Sequence, residues 1–242
     1  MASPRVPLPG SGNGLLSALP MPDFARLQPH LEQVRLNVKQ VLHEPGQPIT
    51  HTYFPEPGCV ISLVHAMRRG GSAEVGMIGH EGMAGVFLFL EEMTSVCQWI
   101  VQLAGDARRL RADVFCREAE RRGPFHQILR RYLGALLHQA IQQTACNALH
   151  SLEQRLCRWL LAVHDRVNTS PFPITQMFMA QMLGVRRASV AVTAHRLQQA
   201  GLISYRWGKI AILDRTGLEN GACECYDTLR ARLRWLRGDA QV

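Results

Sequence analysis

The chain has 242 residues, 47 % hydrophobic and 19 % charged, a balance that excludes global disorder and fits one large domain or two modest ones. No apolar run approaches the roughly 20 residues needed to cross a bilayer, so no membrane span is expected. The net charge of +8 is uneven: residues 1–150 hold 14 basic and 12 acidic side chains, and residues 151–242 hold 13 and 7. A positive excess gathered in the C-terminal part points to a phosphate-bearing partner there.

The first residues, MASPRVPLPGSGNGLL, are rich in Pro, Gly and Ser and lack the apolar core of a signal peptide. Residues 1–20 are expected to form a flexible tail, and the chain a cytoplasmic location. Residues 23–42 start with helical spacing at Phe24, Leu27 and Leu31, then alternate through Val34, Leu36 and Val38. From about 41 to 115, HEPGQPI, FPEPGCVISLV, MRRGGSAEVGMIG and HEGMAGV each join a turn signal to a brief apolar run. Short strands at such close spacing predict a small antiparallel barrel or jelly roll.

The pattern changes near Ala112. Phe125, Leu129, Tyr132, Leu136 and Ala140 form one helical stripe, and Ile128, Leu133, Leu137, Ile141 and Ala145 a second. Two stripes on one helix imply two partners, the barrel on one side and a second subunit on the other. Ser151 with Gln154 reads as a capping box opening the next helix. Residues Thr216 to Gly238 read as one further amphipathic helix whose late Arg residues favour the helix dipole.

Between these helices lies QMFMAQMLGVRRASVAVTAH. Ala180, Gly184 and Val190 supply the small contact residue, the turn and the apolar anchor that two closely crossing helices require. Thr175 opens the first helix beside Gln176, and Gly201 caps the second. On the second helix, Val190, Ala194 and Leu197 point inward, while Arg186, Arg187, Ala188, Ser189, Val192, Thr193 and Arg196 form the opposite face. Arg at the groove end can donate twice to guanine O6 and N7, Ser189 and Thr193 can reach phosphate, and Ala188 and Val192 offer apolar contact to a thymine methyl. Two cations at a helix N-terminus oppose the dipole by roughly 0.3–1 kcal/mol each when exposed, which makes sense if they face an anion. The following LISYRWGKIAILD predicts a hairpin wing whose tip carries Arg206 and Lys209. The predicted DNA-contacting set therefore includes Thr175, Gln176, the face of the second helix, Arg206 and Lys209.

The seven cysteines show no CxxC spacing, and Cys223 with Cys225 is read as a pair of half-buried helix residues. No metal site and no cofactor are expected. No GxSxG, P-loop, HExxH or dinucleotide fingerprint occurs. Glu81 beside His80 does not make a catalytic pair, since neighbours in sequence rarely point together. No catalytic residue is assigned, and an enzyme is not expected.

With these motifs in place, the chain resembles the bacterial transcription regulators of the cyclic-AMP receptor protein and fumarate-nitrate regulator (Crp/Fnr) superfamily over about residues 20–215. The most specific parts are PITQMFMAQMLGVRRASVAVTAHRLQQAGLISYRWGKIAILD, and YFPEPGCVISLV followed by EVGMIGHEGMAGV. The resemblance implies an α+β fold: a cyclic-nucleotide-binding-like, eight-stranded β jelly-roll barrel over 21–120, a dimerisation helix over 121–150 and a winged helix-turn-helix over 151–242. It implies a homodimer on a palindromic operator of double-stranded DNA, with RNA polymerase as a further partner. Two departures matter. The family's cyclic-AMP binders hold ribose and phosphate with a Gly-Glu pair and a later Arg-Ser pair. The matching pocket here is Gly79, His80, Glu81 and Gly82 with Thr94 and Ser95, and the phosphate-binding Arg has no counterpart. A buried phosphate without a cation is costly, so cyclic AMP is not the expected effector and the effector is unknown. The recognition Arg matches Arg187, but Ala188 and Val192 stand where the best-known members carry Glu and Arg, so the half-site should differ. No cluster of N-terminal cysteines exists to hold iron and sulfur; His43, His51, His65 and His80 are read as structural, with haem ligation by one of them as the alternative. The alternative is an effector-independent DNA-binding module controlled by a protein partner.

Overall fold

The computed structural model describes residues 12–167 and 169–237. It is a two-sheet jelly roll followed by a long helix and a helical C-terminal domain, the expected α+β class. Helices α1 (Gly14–Ser17) and α2 (Met21–Leu27) precede strands β1 (Glu32–Leu36), β2 (Val41–His43), β3 (His51–Pro55), β4 (Val60–Ala66), β5 (Ser72–Ile78), β6 (Gln98–Leu103) and β7 (Gly105–Arg111). The strands pair antiparallel in the orders β1-β7-β3 and β2-β6-β4-β5. Then come α3 (Ala112–Ala119), α4 (Pro124–Leu149) and α5 (Leu152–Val167). Strand β8 (Phe172–Pro173), helices α6 (Gln176–Leu183) and α7 (Arg187–Gln199), and strands β9 (Ile203–Arg206) and β10 (Lys209–Ile212) follow, ahead of α8 (Arg215–Gly221) and α9 (Cys225–Arg237).

The four-stranded sheet is covered on both faces, and this explains why CVISLV is apolar at every position but Ser62. Ile61 and Leu63 of β4 face the barrel core with Leu36, Phe54, Ile78, Trp99 and Val101. Val60 and Val64, on the other face, join Met77 and Leu103 in a second core with Leu156, Leu160 and Val163 of α5. A strand buried on both faces loses the polar half of its alternation.

Polar groups on that outer face are paired across to α5. The indole Nε1 of Trp159 donates to Glu74 Oε1 (3.1 Å). Ser62 Oγ lies 2.8 Å from Glu74 Oε2 and 2.7 Å from Gln102 Oε1. One hydroxyl hydrogen cannot serve two acceptors, so either the Glu74 carboxyl is protonated or the Gln102 amide turns its otherwise unpartnered Nε2 toward Ser62. Burial pushes Glu74 up to about 7, against the pull of Ser62, Trp159, Arg158 and Arg166. Nearby, Arg166 of α5 pairs with Glu81 at 2.7 Å, both side chains almost fully buried. Burial, the largest single influence, acts to raise Glu81, but Arg166, backbone N–H groups and His80 together outweigh it and hold the carboxyl below its ordinary value.

Three expectations are corrected. Residues 1–11 of the expected tail lie outside the described residues, but residues 12–20 are not loose. Leu15, Leu16 and Leu19 are buried in the barrel core, and Asn13 caps α1 and donates to the carbonyls of Pro55 and Gly82. HEGMAGV does not form a named strand: Tyr53 and Ala84 make an isolated bridge, and Val86–Leu90 is a 3-10 helix. Side chains take its carbonyls instead, Asn13 at Gly82 and Tyr132 at Met83 (2.9 Å). The barrel thus has seven named strands among the described residues, not eight. The C-terminal helix is two helices, broken after Asn220-Gly221, a pair of weak helix formers. Its described part stops at Arg237, and the expected end at Gly238 lies outside the described residues.

The raised Glu74 carboxyl has a consequence for stability. Its folded-state value, about 7, lies above its ordinary 4.5. The folded protein therefore binds the extra proton between these values, and stability falls as pH rises through them. Between pH 5 and 8 the wild type should lose about 2–3 kcal/mol relative to Glu74→Gln, read by denaturant unfolding of both proteins. Equal pH slopes would show that Glu74 is ionised throughout.

Candidate nucleic-acid interface

The turn between α6 and α7 is built from backbone hydrogen bonds that the sequence makes possible. Thr175 caps α6, its hydroxyl accepting from the Phe178 N–H (3.2 Å). At the other end Gly184 adopts φ +65°, donating to Gln181, while Val185 donates to Ala180 (3.0 Å). This pair of bonds is a Schellman motif, and its left-handed residue is the one place where glycine is needed. Ala180, Leu183, Val190, Ala194 and Leu197 are all buried between the helices, as expected. Gly201, at φ +73°, ends α7 one residue after its Ala200 cap.

The outward face of α7 carries Arg186, Arg187, Ala188, Ser189, Val192 and Arg196, all exposed. Thr193 differs from its expected place. It is buried, and its hydroxyl donates back to the Ser189 carbonyl (2.9 Å), so it has no free donor for phosphate. His195 and Gln199 are exposed on the same face and stand outside the expected set. A signal for them exists in the sequence: 188, 192, 195 and 199 have helical spacing along one stripe. No side chain caps the N-terminus of α7, and no acidic residue lies in its first turn. Free backbone N–H groups and two Arg side chains at one helix end make an anion-seeking surface.

The wing is confirmed as β9 and β10, with β8 as a third strand. Its turn places Trp207 and Gly208 at φ 52° and 70°, a type I′ arrangement. Trp207 is 98 % exposed between the exposed Arg206 and Lys209. The wing is fastened to both helices of the motif: Tyr205 accepts from the Gln176 N–H (3.2 Å) and donates its own N–H to Gln198 Oε1 (2.8 Å). Thr175 and Gln176 therefore sit beside the wing, and Arg186 and Arg187 at the far end of the turn.

The domain is also locked from behind. Arg215 bonds Asp165 (2.6 Å), Glu219 (2.9 Å) and the Tyr226 hydroxyl (2.6 Å), and Tyr226 donates to Asp165 (2.8 Å), tying α8 and α9 to α5.

The expected effector residues are not brought together as a set. Glu81 is engaged by Arg166 and by the Gly79 N–H. Ser95 Oγ donates to the Cys97 carbonyl and accepts from the Trp99 indole (3.2 Å). Thr94 bridges to Pro48. His80 and Glu81 instead line a cavity of about 210 Å³ with Gln139, Arg158, Trp159 and Tyr226, between β5, α4, α5 and α9.

One cluster contradicts the expectation for the cysteines. Cys223 and Cys225 are buried, and the fold places them beside Cys146 and His150 at the end of α4. The two pairs stand far apart in the chain, so spacing alone does not reveal the group.

Residues 154–220 match the Crp-like helix-turn-helix domain family. That stretch spans α6, the turn, α7 and the wing, so the match falls on the helix-turn-helix itself. The fold as a whole is similar to that of solved Crp/Fnr-family regulators. Its structure is similar to a putative Crp/Fnr-family regulator from Eubacterium rectale, at 16 % identity and TM-score 0.67, covering 84 % of this chain and 94 % of that one. It is also similar to the c-di-GMP-responsive global regulator CLP of Xanthomonas campestris, at 15 % identity and TM-score 0.65, covering 81 % and 100 %. FixK2 of Bradyrhizobium japonicum aligns at 11 % identity and TM-score 0.65, covering 80 % and 98 %. No curated protein matches the sequence.

Proposed function

We propose that the protein is a homodimeric transcription regulator that reads a palindromic operator with α7 and contacts flanking phosphates with the wing. The observation that carries this is the uncapped N-terminus of α7, with Arg186 and Arg187 exposed and no acid in the first turn, next to an exposed face of Ala188, Val192, His195, Arg196 and Gln199. Arg187 reads a guanine, Ser189 reaches phosphate, and Arg206 and Lys209 hold the backbone. RNA polymerase is the further partner, through surfaces that this reading leaves unassigned.

The dimer follows from α4. Phe125, Leu129 and Tyr132 are buried against the barrel, whereas Leu137 and Ile141 are 61 % and 60 % exposed. Exposed apolar residues one turn apart on a 26-residue helix suit a parallel partner helix.

The barrel is not a cyclic-AMP receptor in this proposal. Its interior holds Trp99, Phe54, Met83 and Leu110, and among the described residues the buried guanidinium groups, Arg158 and Arg166, both belong to α5. A cyclic phosphate placed in the barrel would lack a buried cation. The filled interior also favours the second reading, in which a protein partner rather than a small effector controls DNA binding.

Arg187→Ala should lose about 1–3 kcal/mol of discrimination at one base pair, measured by competition with single-base operator variants. Lys209→Ala should weaken all sequences alike and flatten the salt dependence by about one unit of slope. Wild-type behaviour from both would mean that another face docks. Ile141→Glu should sediment as a folded monomer and lose operator affinity; a persistent dimer would place the subunit contact elsewhere. Calorimetric titration with cyclic AMP should give no heat of micromolar binding, and a saturable isotherm would overturn this view of the barrel.

A further inference from the structure

Three thiols and an imidazole meet where the end of α4 touches the α8–α9 turn. Cys146, in the last turn of α4, and His150, the C-cap that follows it, are four residues apart. Cys223 and Cys225 come from the turn and from the first residue of α9. The four ligand atoms all lie within 4.8 Å of one another. Cys146 Sγ is 3.5 Å from Cys223 Sγ, and Cys225 Sγ is 3.6 Å from His150 Nδ1. Tetrahedral zinc, with Zn–S about 2.3 Å and Zn–N about 2.0–2.1 Å, sets its ligand atoms roughly 3.5–3.8 Å apart. The sulfurs are too far apart for a disulfide, whose bond is about 2.05 Å. The group is also too compact for a cluster whose thiolates sit on separate irons.

The surroundings match a metal site as well. His150 Nε2 lies 3.1 Å from Glu224 Oε2, so the carboxylate orients the ring with Nδ1 toward the sulfurs. This is the carboxylate–histidine–metal arrangement. Gln142 Nε2 donates to Cys225 Sγ at 3.0 Å, a bond that suits a thiolate. The three cysteines form a small buried cluster separate from both main cores, so packing alone does not explain them.

We infer that Cys146, His150, Cys223 and Cys225 form a closed, tetrahedral zinc(II) site that fastens the end of α4 to the C-terminal helices. Binding forms three Zn–S bonds and one Zn–N bond and releases three thiol protons. With four protein ligands no position is left for a substrate, so the site is structural or regulatory rather than catalytic. The inference does not depend on the operator or on the effector. Because α9 packs along α4 and is tied to α5, metal occupancy would set how the DNA-binding domain sits against the subunit-pairing helix.

The test uses the full-length, reduced protein. Stripped with chelator and titrated with Co²⁺, it should take up one ion per chain with thiolate charge-transfer bands and the intense d–d bands of a tetrahedral centre. Zn²⁺ should then displace the cobalt. Cys223→Ser should weaken binding at least about 100-fold, and Glu224→Gln about 10-fold or more. Cys157→Ser, a buried thiol outside the cluster, should leave binding unchanged. An octahedral cobalt spectrum, or no uptake by the wild type, would overturn the assignment even if a variant fails to fold. So would a Cys146–Cys223 disulfide whose reduced form binds no metal.

Discussion

The structure depends on the outer face of one β-sheet being sealed by α5. Glu74 and Glu81 sit buried on or just after β5, and α5 answers each with one side chain, Trp159 and Arg166. Removing one partner of a buried ion pair typically costs about 3–5 kcal/mol, because the remaining charge keeps its desolvation penalty. The two partners therefore hold each other in place: β5 cannot shift without exposing or orphaning a charge on α5. The apolar contacts of Val60, Val64 and Met77 with α5 act in the same direction. Barrel and DNA-binding domain are thus coupled through a shared interior, not merely joined by a linker.

This coupling changes the meaning of Glu81. In cyclic-AMP binders of the resembling family, a glutamate in this region holds the ligand's ribose. Here the carboxylate is engaged by Arg166, whose guanidinium also donates to the Ala162 and Met77 carbonyls. A ligand that competed for Glu81 would have to break that pair, and α5 would lose its anchor directly. The cavity lined by His80, Glu81, Arg158 and Tyr226 lies at this junction and touches α4, α5 and α9 together. A ligand there would have differential contacts with every element that could move, which is the requirement for shifting a conformational equilibrium.

How much of this can be read from the sequence follows the range of the interactions. The helix-turn-helix is legible to the residue, from the Thr175 cap to Gly184 and the inward Val190, Ala194 and Leu197, because caps, turns and helical faces are set within a few positions. Thr193 departs from its expected place because a hydroxyl can turn back to its own helix, a choice invisible in spacing. The segment 80–86 departs from a strand because its Gly82 and Met83 carbonyls accept from Asn13 and Tyr132, residues far away in the chain. The packing of residues 12–20 is hidden for the same reason: Leu15 and Leu16 look like a tail until the barrel supplies a surface for them.

The cysteine cluster is the extreme of this pattern, and it bears on how the domain can respond. Cys146 and His150 have a spacing common on any helix, and a CxC pair alone is a weak signal. Only the packing of α9 along α4 makes them one group. The helix-turn-helix region is then held at several places: at β5 through Arg166, Trp159 and the packing of α6, and at the end of α4 through the turn before α9. Separate attachments restrain rotation more than one does, because a single contact can act as a pivot. Any change in how that region sits would carry α7 and the wing together, since Tyr205 ties the wing to both helices of the motif.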